Sequence, residues 1–506
     1  MSSITLSARL EKSKIALGRK HKLHLLVNLE GKKLEGKRKP LCLGVAIDLS
    51  TSMSGRKVED AKSGLVKLVD QMTDEDVLAI VAFSDSVWVV LEPTKMTSDV
   101  KDRIKGEIRA MRVVNSTNIS GATFETYEQV KAAAKAKLKD AVSRALLFTD
   151  GCPTSGITDH QELVTIAKKH PEDTSLICFG YGDDYNAELM KAMSRAAGGD
   201  AYHIKTPDEF GPTLGRVLGG LVSCVAQKVK LTVKTKPDVK IVEVLNDFDV
   251  KGSDDQTEAI VTVDDVYSEE KRGVLMELDL PEMDKSGRPF KLGTATIEYQ
   301  DLLAKEPRSH EIALEVEYVK EADEDKAADK EVAEKIALIK AAKAQEEAIK
   351  LAQAGQFAQA KSVIRSASLS LQGVGTHMAS LAAHDLEDNV QCYLSQDAFQ
   401  AGGAHYLHSN ASSYKRGRGQ TLGASKMYNT SSQSDMEKQF GGGVPPGAVG
   451  VGPLGGASVP TVFAPQHPVP GVHGWNPNVQ QNQQNQVPQV QQPPQHRSLS
   501  KKRKNR

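Results

Sequence analysis

Cysteine is scarce and scattered in this chain: five residues in 506, at positions 42, 152, 178, 224 and 392. An odd number at such wide spacing, mostly among apolar neighbours, argues against a disulfide framework and for reduced thiols, with Cys152 a bystander to the motif beside it. Net charge is missing as well. The 65 basic residues balance 65 acidic ones, so wholesale binding to nucleic acid or an anionic membrane is not implied. No apolar run approaches the roughly 20 residues that span a bilayer, and the opening MSSITLSARLEKSKIALGRK has no core of signal-peptide length, so the expectation is a soluble protein made in the cytosol. A phosphate-cradling GxxxxGK[ST] loop and a nucleophile elbow are both absent.

A chain of this length predicts two or three domains. Residues 1 to 38 alternate in hydropathy (Ile4, Leu6, Ala8, Leu10; Leu23, Leu25, Val27, Leu29) and predict half-buried strands. From about 40 to 225, apolar runs alternate with helical periodicity, the pattern of a largely parallel sheet covered on both faces. Buried strands are expected at LCLGVAID, VLAIVAFS, RALLFTD and SLICFGYG, and a helix capped by Ser98 at SDVKDRIKGEIRAM. Residues 228 to 320 return to alternation, so the two alternating segments predict one β-sandwich with the α/β unit inserted. Residues 322 to 397 are rich in Ala, Lys and Glu and predict a helical hairpin, arm or coiled coil, with a turn at Gly355 and no repeat array. From 410 to 506 the chain turns to Gly and Pro, then to Gln and Asn, and ends in KKRKNR; the expectation is a disordered tail.

Chemistry concentrates at the ends of the predicted strands. VAIDLSTSMSGRK places Asp48 at the end of the first buried strand and hydroxyls two and four positions later, at Ser50 and Ser52. NSTNISGAT places Thr117 in a polar loop before a helix, and LLFTDG places Asp150 at the end of another strand. These are loops on the edge where such folds bind ligands. The donors are all oxygen, which suits a hard divalent cation, Mg²⁺ or Mn²⁺ (or Ca²⁺), and not a thiolate zinc site. Neutral alcohols leave the ion's charge unquenched. With Asp48 and Asp150 standing back and holding waters and hydroxyls, the ion would stay electrophilic toward an incoming carboxylate, and a helix starting near Gly55 would add its positive end.

DLSTS, Thr117 in STNISGA and FTDG resemble the metal-ion-dependent adhesion site of von Willebrand factor type A domains, and the likeness spans the α/β segment. TDGCPTSGITD and FGYGDDYNAELMKAMSRAAGGDAYHI look like the branch containing inter-alpha-trypsin inhibitor heavy chains and bacterial calcium-activated chloride channel-like proteins. The resemblance implies a Rossmann-like fold in which Ser50, Ser52 and Thr117 ligate the ion directly and Asp48 and Asp150 act largely through water. It implies a protein partner whose Asp or Glu completes the shell, sometimes with a shift of the last helix, here about 207 to 224. Thr51 stands where family members often have Gly; it adds bulk and removes no ligand.

The leading expectation is therefore a non-enzymatic, metal-dependent protein-interaction module. A Mg²⁺-dependent phosphoryl hydrolase is the rival class, but an aspartate-nucleophile phosphatase needs a second acid two residues after the first, where this chain has Ser50. A third reading is a nucleic-acid scaffold using SYKRGRGQ and KKRKNR, the latter also a nuclear address in a eukaryote; two solvated basic patches are the simpler reading of both. Asp183 and Asp184 read as loop residues that start a helix, and His405 with His408 as incidental.

Overall fold

The computed structural model describes residues 2–35, 38–135, 141–181, 185–204, 207–285, 289–399 and 403–441. Its chain opens with β1 (Ile4–Leu10), β2 (Lys14–Ala16) and β3 (His21–Gly31). The α/β region follows as β4 (Leu41–Asp48), α1 (Arg56–Gln71), β5 (Val77–Phe83), β6 (Val87–Lys95), α2 (Ser98–Ala110), α3 (Ile119–Lys135), β7 (Val142–Thr149), α4 (His160–Ala167), β8 (Thr174–Tyr181), α5 (Ala187–Ala196), β9 (Ala201–Ile204) and α6 (Pro207–Val222). Seven strands come next: β10 (Cys224–Thr235), β11 (Lys240–Val244), β12 (Asp249–Gly252), β13 (Glu258–Tyr267), β14 (Lys271–Leu280), β15 (Phe290–Asp301) and β16 (Glu306–Val319). Helices close the described chain: α7 (Lys330–Gln353), α8 (Phe357–Gln372), α9 (His377–Asn389), the single turn α10 (Gln396–Ala398), α11 (Ala404–Arg416), α12 (Leu422–Tyr428) and α13 (Ser431–Gln439).

The α/β sheet has the order β6-β5-β4-β7-β8-β9, parallel except for the edge strand β6. Every residue of β4, β5 and β7 is buried, which is why those strands read as continuous apolar runs: helices cover both faces and no side faces water. The flanking strands make two further sheets, β1-β3-β14-β11 and β12-β13-β10-β15-β16-β2. β3 pairs with β14 from Glu30↔Lys271 to His21↔Leu280, so strands on either side of the α/β region close one sheet. Their inward-facing residues form a single core, including Leu25, Val27, Leu231, Val274 and Ile297. The α/β domain is thus inserted in a β-sandwich.

Three expectations need correction. The predicted cap at Ser98 falls one residue late: Thr97 precedes α2, with no side-chain capping bond. Helices 330 onward do not form a free arm or coiled coil, because Val332 and Ile339 of α7 pack on Leu26 and Leu275 of the sandwich while α7, α8, α9, α11 and α12 share a core of their own. Disorder does not begin at 410, since α11 to α13 carry the described chain to Gly441; the rest of the expected tail, KKRKNR included, lies outside the described residues, as do Asp183 and Asp184.

The last of these corrections has an electrostatic cause. SYKRGRGQ is not a solvated patch: Arg416 is 7% and Arg418 5% exposed. Arg418 donates from Nη1 to Asp200 of the α/β domain at 2.9 Å, and from Nε and Nη2 to the two carboxylate oxygens of Glu270 in the sandwich at 2.8 and 2.9 Å. Its guanidinium lies 4.3 Å from the ring centre of Tyr267. Arg416 takes the other Asp200 oxygen at 2.9 Å. Such bidentate, charge-assisted bonds are what a buried guanidinium requires. Arg416 and Arg418, outweighing a burial that works the other way, hold the Asp200 carboxyl well below its usual range, and Arg418 and Arg272 do the same for Glu270.

α13 then lies along α6. The fit needs bare backbone: a Cβ on Gly215 would stand 2.5 Å from the Met436 carbonyl oxygen, and one on Gly219 2.6 Å from Ser432 O and Gln433 Cα. Phe440, 1% exposed, enters the core of the α/β domain, and its carbonyl accepts from Lys67 Nζ at 2.8 Å.

Removing the Arg418 charge leaves Glu270 and Asp200 buried with too few donors. Arg418→Met is expected to lower unfolding free energy by about 3–5 kcal/mol in urea denaturation followed by circular dichroism. Arg365→Met, exposed on α8, is expected to change it by about 0.5 kcal/mol or less.

Candidate metal centre

The sequence-predicted residues meet at the carboxyl end of the α/β sheet. Asp48 ends β4, and its Oδ1 accepts from the Ser50 backbone N–H at 2.8 Å, a local turn that Asp favours. Its Oδ2 accepts from Thr149 Oγ1 at 2.6 Å, across to β7. Ser50 and Ser52 stand with their hydroxyl oxygens 3.0 Å apart, and Ser52 donates to Asp150 Oδ1 at 2.9 Å. Four of the five residues therefore belong to one hydrogen-bonded cluster.

Thr117 joins through its loop. Asn115 O accepts from the Thr51 N–H at 2.8 Å, and Val114 N donates to Leu49 O at 2.8 Å, which stitches residues 114 and 115 to the Asp48 loop. Thr117 itself donates from its N–H to Thr154 Oγ1 at 2.9 Å and accepts at its carbonyl from Thr154 N at 3.0 Å, tying it to the loop after β7. Thr117 is 3% exposed. Hydrogen bonds thus tie the loops of Asp48, Thr117 and Asp150 to one another.

Four contributors escaped the sequence reading. Thr149, the residue before Asp150, orients Asp48. Asn115 and Thr154 position loops through main-chain geometry, for which spacing gives no signal. Lys57, in the first turn of α1, places Nζ 3.4 Å from Asp150 Oδ2. α1 starts after Gly55, whose φ of +80° is costly for any residue with a Cβ, and its amino end faces the same cluster, adding positive potential.

The donor set fits a hard divalent ion. Asp48 is wholly buried, and burial, with a further push from Asp150, raises its carboxyl from 3.8 to about 6 in spite of bonds from Thr149 and Ser50. Among the described residues Asp48 pairs with no cationic side chain, Lys57 reaching Asp150 instead, and a bound divalent ion would supply that charge. Among the described residues no group of three or more His, Cys, Asp or Glu side chains is arranged to hold a metal, so a softer site of that type has no counterpart. His405 of the HYLH pair instead packs its ring against Tyr185 and His203.

Residues 43–216 match the family model described as von Willebrand factor type A domain. The chain contains a VWA domain. A protein of Escherichia coli (strain K12), the uncharacterized YfbK, is 30% identical to it over 195 residues, 38% of this chain and 33% of YfbK. Bovine inter-alpha-trypsin inhibitor heavy chain H4 is 28% identical over 163 residues, 31% of this chain and 18% of the heavy chain. The chain thus spans well under half the length of these relatives. Among solved structures, a von Willebrand factor type A protein from Catenulispora acidiphila superposes with a TM-score of 0.64 at 16% identity, covering 82% of this chain and 97% of that one. The ArnB paralog VWA2 from Sulfolobus acidocaldarius gives 0.52, also at 16% identity. Their coverage extends the shared fold beyond the VWA domain to most of the present chain.

Without metal, Asp48 costs the fold stability when charged. Its carboxyl binds a proton more tightly folded than unfolded, so its contribution is most favourable below about pH 4 and is lost as pH rises through about 6. In chelator, Asp48→Asn is expected to be more stable than wild type by about 1–3 kcal/mol above pH 7, with the advantage vanishing near pH 4. Urea midpoints across that range measure it.

Proposed function

We propose that the VWA domain is a non-enzymatic interaction module that uses a divalent ion, Mg²⁺ first, to bind an Asp or Glu side chain of a protein partner. VWA domains are commonly metal-dependent protein-interaction modules, and the observation that supports this reading here is the cluster joining Asp48, Ser50, Ser52 and Asp150. On this reading Ser50, Ser52 and Thr117 are the direct ligands, while Asp48 and Asp150 act through water. When bound, the ion offers an electrophilic position to a carboxylate oxygen. The chain's own part is to keep that position charged and oriented. Ser50 and Ser52 are neutral; Thr149 and the Ser50 N–H fix the Asp48 carboxylate; Lys57 and the amino end of α1 keep the approach positive for an anion.

The domain limits belong to the same proposal: a VWA domain at 40–225, sandwich segments at 1–38 and 228–320, and a helical region from 322. A phosphatase reading is weakened by the position of Ser50, which sits where a general acid is needed and is hydrogen-bonded to Ser52. No helix among the described residues is long and apolar enough to cross a membrane.

Mn²⁺ and Mg²⁺ titration calorimetry on the full chain tests the site. Binding is expected in the wild type and absent in both Asp48→Ala and Asp150→Ala. Because the ion must displace the Asp48 proton, affinity is expected to fall about tenfold per pH unit below 6 and to level off above it. Capture of an acidic partner peptide that persists unchanged in EDTA would count against the module, as would phosphate-ester turnover abolished by Asp48→Asn.

A further inference from the structure

Nine large apolar side chains among the described residues are more than a third exposed, and three of them, Val114, Phe124 and Ile157, belong to segments that meet at the candidate metal centre. Val114 is 58%, Phe124 60% and Ile157 39% exposed. Apolar residues scattered singly over a surface call for no explanation; a group gathered round one site does.

Their places follow from the loops. Val114 is held by its N–H to Leu49 O, and the next carbonyl, that of Asn115, takes the Thr51 N–H, so Val114 stands beside the segment that carries Ser50 and Ser52. The loop after β7 runs along Thr117 instead: Thr117 O accepts from Ser155 N at 3.1 Å, and Ile157 N donates to Ser120 Oγ at 2.9 Å. Phe124 lies one turn after Ser120 on α3. Helical side chains lean toward the amino end, so its ring leans over the turn to which Ile157 is tied. Val114 thus borders the Asp48 loop, Ile157 and Phe124 border the start of α3, and Thr117 links the two.

The charged side chains of these segments are engaged locally. Arg112 Nη1 donates to the carbonyls of Arg109, Ala110 and Met111, Asp85 accepts from Ser84 Oγ and the Ser86 N–H, and Asp159 accepts from the Glu162 N–H. Lys57 and the amino end of α1 attract an acid to the centre, while the three apolar residues attract what flanks it. Apolar contacts round a central charged bond exclude water and strengthen that bond. In an extended segment, side chains two positions apart point the same way at a spacing of about 7 Å. We infer that the partner of the proposed module is an extended segment with one apolar side chain two positions before its Asp or Glu and another two positions after it, one meeting Val114 and the other meeting Ile157 and Phe124. The inference rests on the interaction-module reading and adds the kind of sequence that is recognised.

Fluorescence anisotropy of labelled heptapeptides with the full chain in saturating Mg²⁺ tests it. Gly-Leu-Gly-Glu-Gly-Leu-Gly is expected to bind about tenfold or more tightly than the same peptide with serines for leucines. Val114→Ser and Phe124→Ser, both at exposed positions and expected to fold, should each weaken the leucine peptide severalfold and leave the serine peptide unchanged. Hydrogen exchange in residues 112–118 and 154–158 is expected to slow when the leucine peptide is bound. Equal affinity of the two peptides, or leucine-peptide affinity unchanged in both variants, overturns the inference and leaves the acid-binding module standing. Leucine-peptide binding that survives both EDTA and replacement of the peptide's Glu by Gln overturns the two together. No binding of either peptide at about 1 mM also overturns the inference, the metal titration then deciding the module by itself.

Discussion

Arg418 stands where three parts of the protein meet. Its guanidinium reaches Asp200 between α5 and β9, Glu270 between β13 and β14, and the face of Tyr267, while Arg416 shares Asp200 and Arg272 shares Glu270. Each of these side chains would be untenable in the interior alone. Together they fix how the VWA domain, the sandwich and the C-terminal helices abut, because Asp200 and Glu270, one carboxylate from each of two domains, share the Arg418 guanidinium of the third segment. The insertion is secured in a second place by Arg144, wholly buried in β7 and paired with Asp265 in β13. Buried ion pairs are weak as sources of stability but strict about geometry. Here that strictness sets domain orientation.

The candidate metal centre rests on a different constraint, the register of β4 against β7. Ile47↔Phe148 is the last pair of that ladder, so Asp48 and Thr149 leave the sheet side by side and Asp150 follows within reach of Ser52. One residue of slippage would send the carboxylates to opposite faces. The centre is therefore a product of the buried strands beneath it.

That dependence explains what was legible in the sequence. Continuous apolar strands, alternating sandwich strands and helices over 322 to 397 follow from periodicity, and Asp48, Ser50, Ser52, Thr117 and Asp150 stand out because strand ends and polar loops can be located by pattern. Lys57 and Thr149 are single residues whose importance depends on a rotamer or a cross-strand neighbour, so no spacing marks them. SYKRGRGQ was misread for a deeper reason. Composition counts Arg416 and Arg418 as surface charge, whereas their partners, Asp200 and Glu270, lie roughly 150 to 220 residues earlier in the chain, and no local window links them. The glycines of α6, poor helix formers by propensity, have their reason in the same distant segment, since Met436 and Ser432 lie against them.

The two constraints join through α6. Phe210 packs so closely on α1 that a Cβ on Gly64 would stand 1.9 Å from its ring, and α1 begins four residues after Ser52 and carries Lys57. On its other side α6 holds α13, with Ser432 Oγ donating to Gly219 O at 2.9 Å and Arg216 buried near Glu437 and Thr421. Moving α6 along its axis would drive its glycines past the α13 backbone and uncover Arg216, a charge with almost no exposed surface. Helix packing of this tightness is bistable rather than elastic. The first turn of α1, and with it the positive side of the candidate metal centre, is accordingly held in place by a segment more than 200 residues downstream, the same segment that Arg416 and Arg418 lock to both domains.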